Sequence, residues 1–121
     1  MDASGVGRHA ICEFWGARHL NSVERADQAL RDAAVAGRVT LIDVFVHQFA
    51  PHGVSGIAMI AESHLAIHTW PEHGFVTIDV YVCNYTTDNS AKAERLLRAM
   101  QDAMKPQRVK FQAIHRGGRD A

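Results

Sequence analysis

Apolar positions along the chain switch between two periods, and the switches mark its elements. Residues 8–15 (RHAICEFW) read as a β-strand ending in aromatics. From 21 to 36 the spacing becomes helical, with Val23, Ala26, Leu30 and Ala33 on one stripe. Asn21 with Glu24 three residues on resembles a capping box, and Gly37 offers a stop. Residues 39–49 (VTLIDVFVHQF), 54–61 and 74–83 are rich in β-branched and aromatic side chains, and 63–70 forms a further short strand-like run. Asp88, Asn89 and Ser90 supply cap candidates for a second helix with the stripe Ala93, Leu96, Leu97, Met100 and Met104; Pro106 follows it. Residues 107–115 make a last strand.

The order β-α-β-β-β-β-α-β has too few helices to cover a sheet on both faces. A two-layer α+β sandwich follows, a mainly antiparallel sheet with two helices packed on one face. Without repeats, low-complexity tracts or linkers, residues 1–121 read as a single domain. The other sheet face is then solvated or covered by a second copy. The 39–49 strand carries apolar side chains on both parities (Leu41, Phe45, Phe49 against Ile42, Val44, Val46). That predicts burial on both faces, through a homodimer or by a central place in one domain.

Composition narrows the partners. Thirteen basic and thirteen acidic residues balance to zero formal charge, which gives no electrostatic case for nucleic acid or an anionic membrane. No apolar run reaches the ~20 residues that span a bilayer, and the N-terminus MDASGVGRHA lacks the apolar core of a secretory leader. A cytoplasmic protein with free thiols at Cys12 and Cys83 is the expectation.

Candidate chemistry is concentrated in 53–85, GVSGIAMIAESHLAIHTWPEHGFVTIDVYVCNY. Strand alternation puts Glu62, His64, Ala66, His68 and Trp70 on one face, and Ser63, Leu65 and Ile67 on the other. Val76, Ile78, Val80 and Val82 make a clean apolar face, opposite Phe75, Thr77, Asp79, Tyr81 and Cys83. One apolar and one mixed polar–aromatic face suggest core on one side and a site or interface on the other. Taken singly, a strand serine or histidine is ordinarily only a hydrogen-bonding residue, and a cysteine a small hydrophobe. Histidines 64 and 68 are separated by ~13 Å at the usual strand rise, too far to share one zinc ion without a bend, so no metal is expected.

The combination ESHLAIHTWPEHGF, with GVSG upstream and Cys83 downstream, resembles the prokaryotic S-adenosylmethionine decarboxylase proenzymes over nearly the whole chain. The resemblance implies a self-processing α+β enzyme that dimerises. It implies cleavage between Glu62 and Ser63, giving residues 1–62 as β chain and 63–121 as α chain. Ser63 becomes a covalent pyruvoyl group, the cofactor, which forms a Schiff base with the substrate amine and accepts the electrons left by CO₂. His68 acts as proton acceptor in processing, with Ser55 supporting the intermediate by hydrogen bonding. Cys83 is the acid that reprotonates the carbanionic carbon; a thiol with an ordinary pKa near 8.5 is mostly protonated at neutral pH. Phe49 and Trp70, with Leu65 nearby, face the adenine of S-adenosylmethionine, and Glu72 accepts from the ribose hydroxyls. The product serves polyamine synthesis. Cys12 reads as core.

The motifs leave two alternatives open, a decarboxylase of the same fold acting on arginine or ornithine, and a binding domain that lost the chemistry. The chain also departs from the family pattern after Cys83, where Asn84-Tyr85 replaces a frequent glycine. Ser63 and His68, moreover, lie on opposite parities. Their cooperation requires a bend at 62–63, and a distorted Glu62–Ser63 bond would supply geometry and driving force together.

Overall fold

A computed structural model describes residues 7–83 and 89–117. The elements are β1 (Gly7–Trp15), α1 (Val23–Gly37), β2 (Leu41–Gln48), β3 (Val54–Ile60), β4 (Ser63–Trp70), a single 3-10 turn (Pro71–His73), β5 (Phe75–Cys83), α2 (Ser90–Met104) and β6 (Arg108–Arg116). All six strands form one antiparallel sheet in the order β2-β3-β4-β5-β1-β6.

Both helices lie on one face of that sheet. α1 packs over β2 and β3, α2 over β5 and β1, and the helices touch each other. Their approach is close at Gly37, where an added Cβ would stand 2.8 Å from Leu96 Cδ2. The alternation of β5 explains the layering: Val76, Ile78, Val80 and Val82 are all 0% exposed beneath the helices. Phe14, Leu30, Leu65, Ile67, Leu96 and Met100 complete the centre of this core. Full burial of each such side chain contributes ~1.5–3 kcal/mol. Cys12 belongs to the same core, and burial pushes its thiol pKa up to about 11, so it is an inert packing residue.

Two local expectations change. The N-cap of α1 is Ser22, whose Oγ accepts from Arg25 N–H at 3.2 Å; the helix ends at Gly37 as expected, with a left-handed Arg38 as its C-cap. Asn21 instead ties a distant turn: its Oδ1 accepts from Gln48 Nε2 and from Gly53 N–H, both at 2.8 Å. At α2, Asn89 occupies the cap position without a side-chain capping bond, and its Nδ2 donates to the Cys83 carbonyl at 2.7 Å. The cap candidate Asp88 and the Asn84-Tyr85 departure lie outside the described residues.

The strand at 41–48 also differs from its expected place. β2 is an edge strand, and within one chain it is not buried on both faces. Val44 and Val46 pack partly toward the helices, while Phe45 is 68% and Ile42 60% exposed. Phe45, Ile57, Met59 and Trp70 leave the helix-free face of the sheet apolar and uncovered.

Candidate active site

The helix-free face carries two groups of chemically capable side chains, one at each end of β4. The first surrounds the β3–β4 hairpin. Ile60 pairs with Ser63 across a two-residue loop, Ala61-Glu62. Two-residue hairpins favour loop residues with positive φ, hence Gly or Asn. Neither Ala61 nor Glu62 takes that geometry, and the distortion falls on Ser63, with φ of 149°. A serine in this region stores backbone strain of ~1–3 kcal/mol. The bend anticipated at 62–63 is therefore present, produced by a tight hairpin without a glycine.

The strained peptide is held from several sides. Cys83 N–H donates to the Glu62 carbonyl at 2.8 Å. Lys92 Nζ donates to Glu62 Oε2 at 2.9 Å, and Thr40 N–H to Glu62 Oε1 at 3.1 Å. Burial would raise the Glu62 pKa, but the Lys92 and Thr40 bonds outweigh it and hold the carboxyl below its ordinary value. Ser63 Oγ lies 3.4 Å from His64 Nδ1. The His64 ring stacks on Tyr81 with centroids 6.1 Å apart; Tyr81 meets His9 edge-on, and His9 Nε2 lies 3.2 Å from Asp79 Oδ1. Burial first, then the electrostatic influence of His9 and Arg116, push the His64 pKa down against the opposing pull of Asp79. Cys83 is half-buried at the end of β5, one residue past the Val82 that pairs with Ser63.

The second group lies at the other end of β4. Ser55 pairs directly with His68 across β3 and β4, with Ser55 Oγ 2.8 Å from His68 Nδ1. A cleft beside this pair is lined by Phe49, His52, Ser55, His68, Trp70 and Glu72. Phe49 is 47% and Trp70 41% exposed, so neither is a core residue. Trp70 leans on Phe75 at 5.5 Å, and Phe49 meets His47 edge-on at 4.6 Å. Glu72, set by the 3-10 turn that Pro71 opens, contacts His52 Nε2. Three supports fix the turn carrying Phe49 and His52. They are the Asn21 bonds, a Gln48 Nε2 bond to the Gly53 carbonyl at 2.9 Å, and Phe49 N–H on the same carbonyl at 2.8 Å. Gly53, at φ of 105°, is a position where a side chain would be strained and would crowd the Thr69 carbonyl.

The residues singled out from the sequence are thus divided. Ser63, Glu62 and Cys83 stand together; Ser55, His68, Phe49, Trp70 and Glu72 stand together; the two sets are not in contact within one chain. Ser63 and His68 are five positions apart on one extended strand, ~16 Å at the usual rise. The Leu65 side chain is 0% exposed in the helix-side core, because its parity places it with Ile67 and away from the open face. Sequence reasoning gave no role to His64, Tyr81, Lys92 or His52. Only the non-glycine loop between two β-like runs hinted at the hairpin that groups the first three.

With this geometry in hand, the comparisons decide the family. A family model described as S-adenosylmethionine decarboxylase matches residues 8–117. The chain belongs to the S-adenosylmethionine decarboxylase family. The S-adenosylmethionine decarboxylase proenzyme of Thermomicrobium roseum is 40% identical over 113 residues, 93% of this chain and 94% of that one. The proenzyme of Shouchella clausii is 43% identical over 97 residues, 78% of this chain and 75% of its own length. Among solved structures, the adenosylmethionine decarboxylase of Aquifex aeolicus superposes with a TM-score of 0.86 at 34% identity, covering 94% of this chain and 92% of that chain. A Trypanosoma brucei AdoMetDC monomer (TM-score 0.56, 20% identity, 86% of this chain, 44% of that one) shares the fold alone. Among the described residues no helix is long and apolar enough to cross a membrane, and no group of His, Cys, Asp or Glu is gathered to hold a metal.

Proposed function

We propose that this chain is a single-domain proenzyme that cuts itself between Glu62 and Ser63 and then decarboxylates S-adenosylmethionine, providing an aminopropyl donor for polyamine synthesis. The observation that carries the reading is the Glu62–Ser63 junction: a strained serine directly after a carbonyl that already accepts a backbone N–H. Attack of Ser63 Oγ on that carbonyl develops an oxyanion facing the Cys83 N–H, the kind of fixed donor worth ~3–4 kcal/mol elsewhere. The shift to an ester relieves the distorted amide. β-Elimination then frees residues 1–62 as one chain and leaves dehydroalanine at 63, whose imine form takes up water and releases ammonia to give 63–121 a pyruvoyl end.

That group fits the place. Position 63 opens β4 at a half-buried spot, paired with Val82 and next to Cys83. When present, the pyruvoyl carbonyl serves as the electron sink for loss of CO₂. The chain's own residues do the rest. Cys83, half-buried beside position 63, delivers a proton at the carbon that lost the carboxylate. Phe49 and Trp70 form aromatic walls for a purine and a sulfonium, and the Glu72 carboxylate accepts from ribose hydroxyls.

Those two tasks need the two ends of β4 in one place, and one chain holds them ~16 Å apart. We propose a homodimer in which the apolar open faces meet about a two-fold axis. In such an isologous contact, the region that i presents to j is also presented by j to i. The Ser63 end of one protomer then meets the Ser55–His68–Trp70 end of its partner, which lets His68 act in processing. Phe45, Ile57 and Met59 would fill the interface.

Intact-mass analysis of the purified protein tests the reading. Two pieces divided after Glu62, the larger-numbered one carrying a carbonyl-reactive end, are expected, with Ser63→Ala remaining one chain. CO₂ release from S-adenosylmethionine but not from arginine or ornithine is expected; the reverse would reassign the substrate.

A further inference from the structure

The Ser63 hydroxyl must lose a proton as it attacks, and His68 of the same chain sits a strand length away. Regular alternation would send Ser63 and His64 to opposite faces. The distorted φ of Ser63 instead leaves its Oγ 3.4 Å from His64 Nδ1, the one base beside it among the described residues. The imidazole is held in place: it stacks on Tyr81, Tyr81 is braced edge-on by His9, and His9 is bonded to Asp79.

We infer that His64 is the intrachain catalytic base of self-cleavage, the group that takes the Ser63 hydroxyl proton in the acyl shift. The inference rests on the reading that the chain cuts itself at Glu62–Ser63. In the step, the Oγ proton passes to His64 Nδ1 as the bond from Oγ to the Glu62 carbonyl carbon forms. Negative charge collects on the carbonyl oxygen, facing the Cys83 N–H at 2.8 Å. As the oxyanion collapses, the bond to the Ser63 nitrogen breaks and that nitrogen takes the proton back from the imidazolium. The products are an ester between Glu62 and Ser63 Oγ, a free amine on residue 63, and neutral His64; no other reactant is consumed. The charged and titratable groups around the imidazole are His9 on β1, Asp79 and Tyr81 on β5, and Arg116 on β6. Burial with His9 and Arg116 keeps the ring neutral near pH 7, the form that accepts a proton. His68 of a partner protomer is left for the later elimination.

The test follows cleavage of freshly refolded full-length chain by intact mass, with hydroxylamine added to trap any ester. Parent protein that never cleaves removes the reading beneath this inference. If the parent cleaves, His64→Gln should slow cleavage ~100-fold, the usual scale for a general base. The blocked chain should remain an amide that hydroxylamine does not cut. His64→Ala should be equally slow and should be accelerated by added imidazole, which can substitute for a lost base only in a folded chain. The inference is overturned if His64→Gln cleaves within twofold of the parent, or if it stalls as a hydroxylamine-labile ester. A slow His64→Ala that imidazole does not accelerate overturns it too.

Discussion

The two ends of β4 are built on opposite plans. The Ser63 end is tight, half-buried and strained: a two-residue hairpin without glycine, with its carbonyl and its carboxylate both held by donors. The His68 end is open: exposed Phe49 and Trp70, a 3-10 turn bearing Glu72, and a loop pinned by Asn21 and Gln48. The first is suited to breaking a bond at a fixed point. The second is suited to receiving a flat, polar-edged ligand. The proposed reaction needs both, and the strand that joins them is too long for them to cooperate within one chain. In the proposed homodimer the apolar open face between them joins the machinery, because it would bring the opposite ends of two copies together.

The largest effect expected is at the strained end. Ser63→Ala should abolish cleavage entirely, leaving a single 121-residue chain by mass. Cleavage in that variant would place the scissile bond elsewhere. Next comes the face between the ends. Phe45 is 68% exposed in the single chain, so Phe45→Asp should leave monomer stability within ~0.5 kcal/mol. Burying its charge between two copies should shift the sedimentation profile to monomer and remove decarboxylation. A dimer that tolerates the change would move the interface off this face.

At the open end, Trp70→Ala should spare cleavage and raise KM for S-adenosylmethionine. A lost aromatic contact of ~0.5–1.5 kcal/mol corresponds to roughly a two- to twelvefold rise. A loss confined to kcat would deny Trp70 a binding role. The smallest effect belongs to the clamp on Glu62. Its carboxyl pKa is lowered in the folded chain, so the stability it contributes is present above the ordinary carboxylate value of 4.5 and is lost as pH falls through the lower folded value. Lys92→Met should remove up to ~1 kcal/mol. It should also flatten the acid limb, because without Lys92 the folded Glu62 pKa moves back up toward its ordinary value and less stability is lost below pH 4.5, checked by thermal unfolding from pH 3 to 7.

Much of this was legible from pattern alone. Val76, Ile78, Val80 and Val82 alternate cleanly because β5 is covered by helices on one side only, and the α2 stripe from Ala93 to Met104 is buried residue for residue. Other features depend on long-range placement. Whether Ile42 and Phe45 are core or surface is decided by β2 lying at the sheet edge. Asn21 looked like a cap because local spacing cannot show a loop 32 residues away in sequence. The burial of the Leu65 side chain follows from its parity. The separation of Ser63 from His68 was foreshadowed by parity, but the hairpin that resolves Ser63 toward His64 is a three-dimensional fact about Ala61-Glu62.

The account's central claim is that each site draws on both protomers, and a mixed dimer tests it directly. In a hybrid of Ser63→Ala and His68→Ala chains, one site carries both defects and the other carries none. The account predicts that the His68→Ala chain, inert toward chain separation by itself, acquires a carbonyl-bearing 63–121 piece when co-expressed with Ser63→Ala, and that decarboxylation returns with it. A His68→Ala chain that matures normally alone, or one that Ser63→Ala cannot rescue although hybrid dimers form, would contradict it.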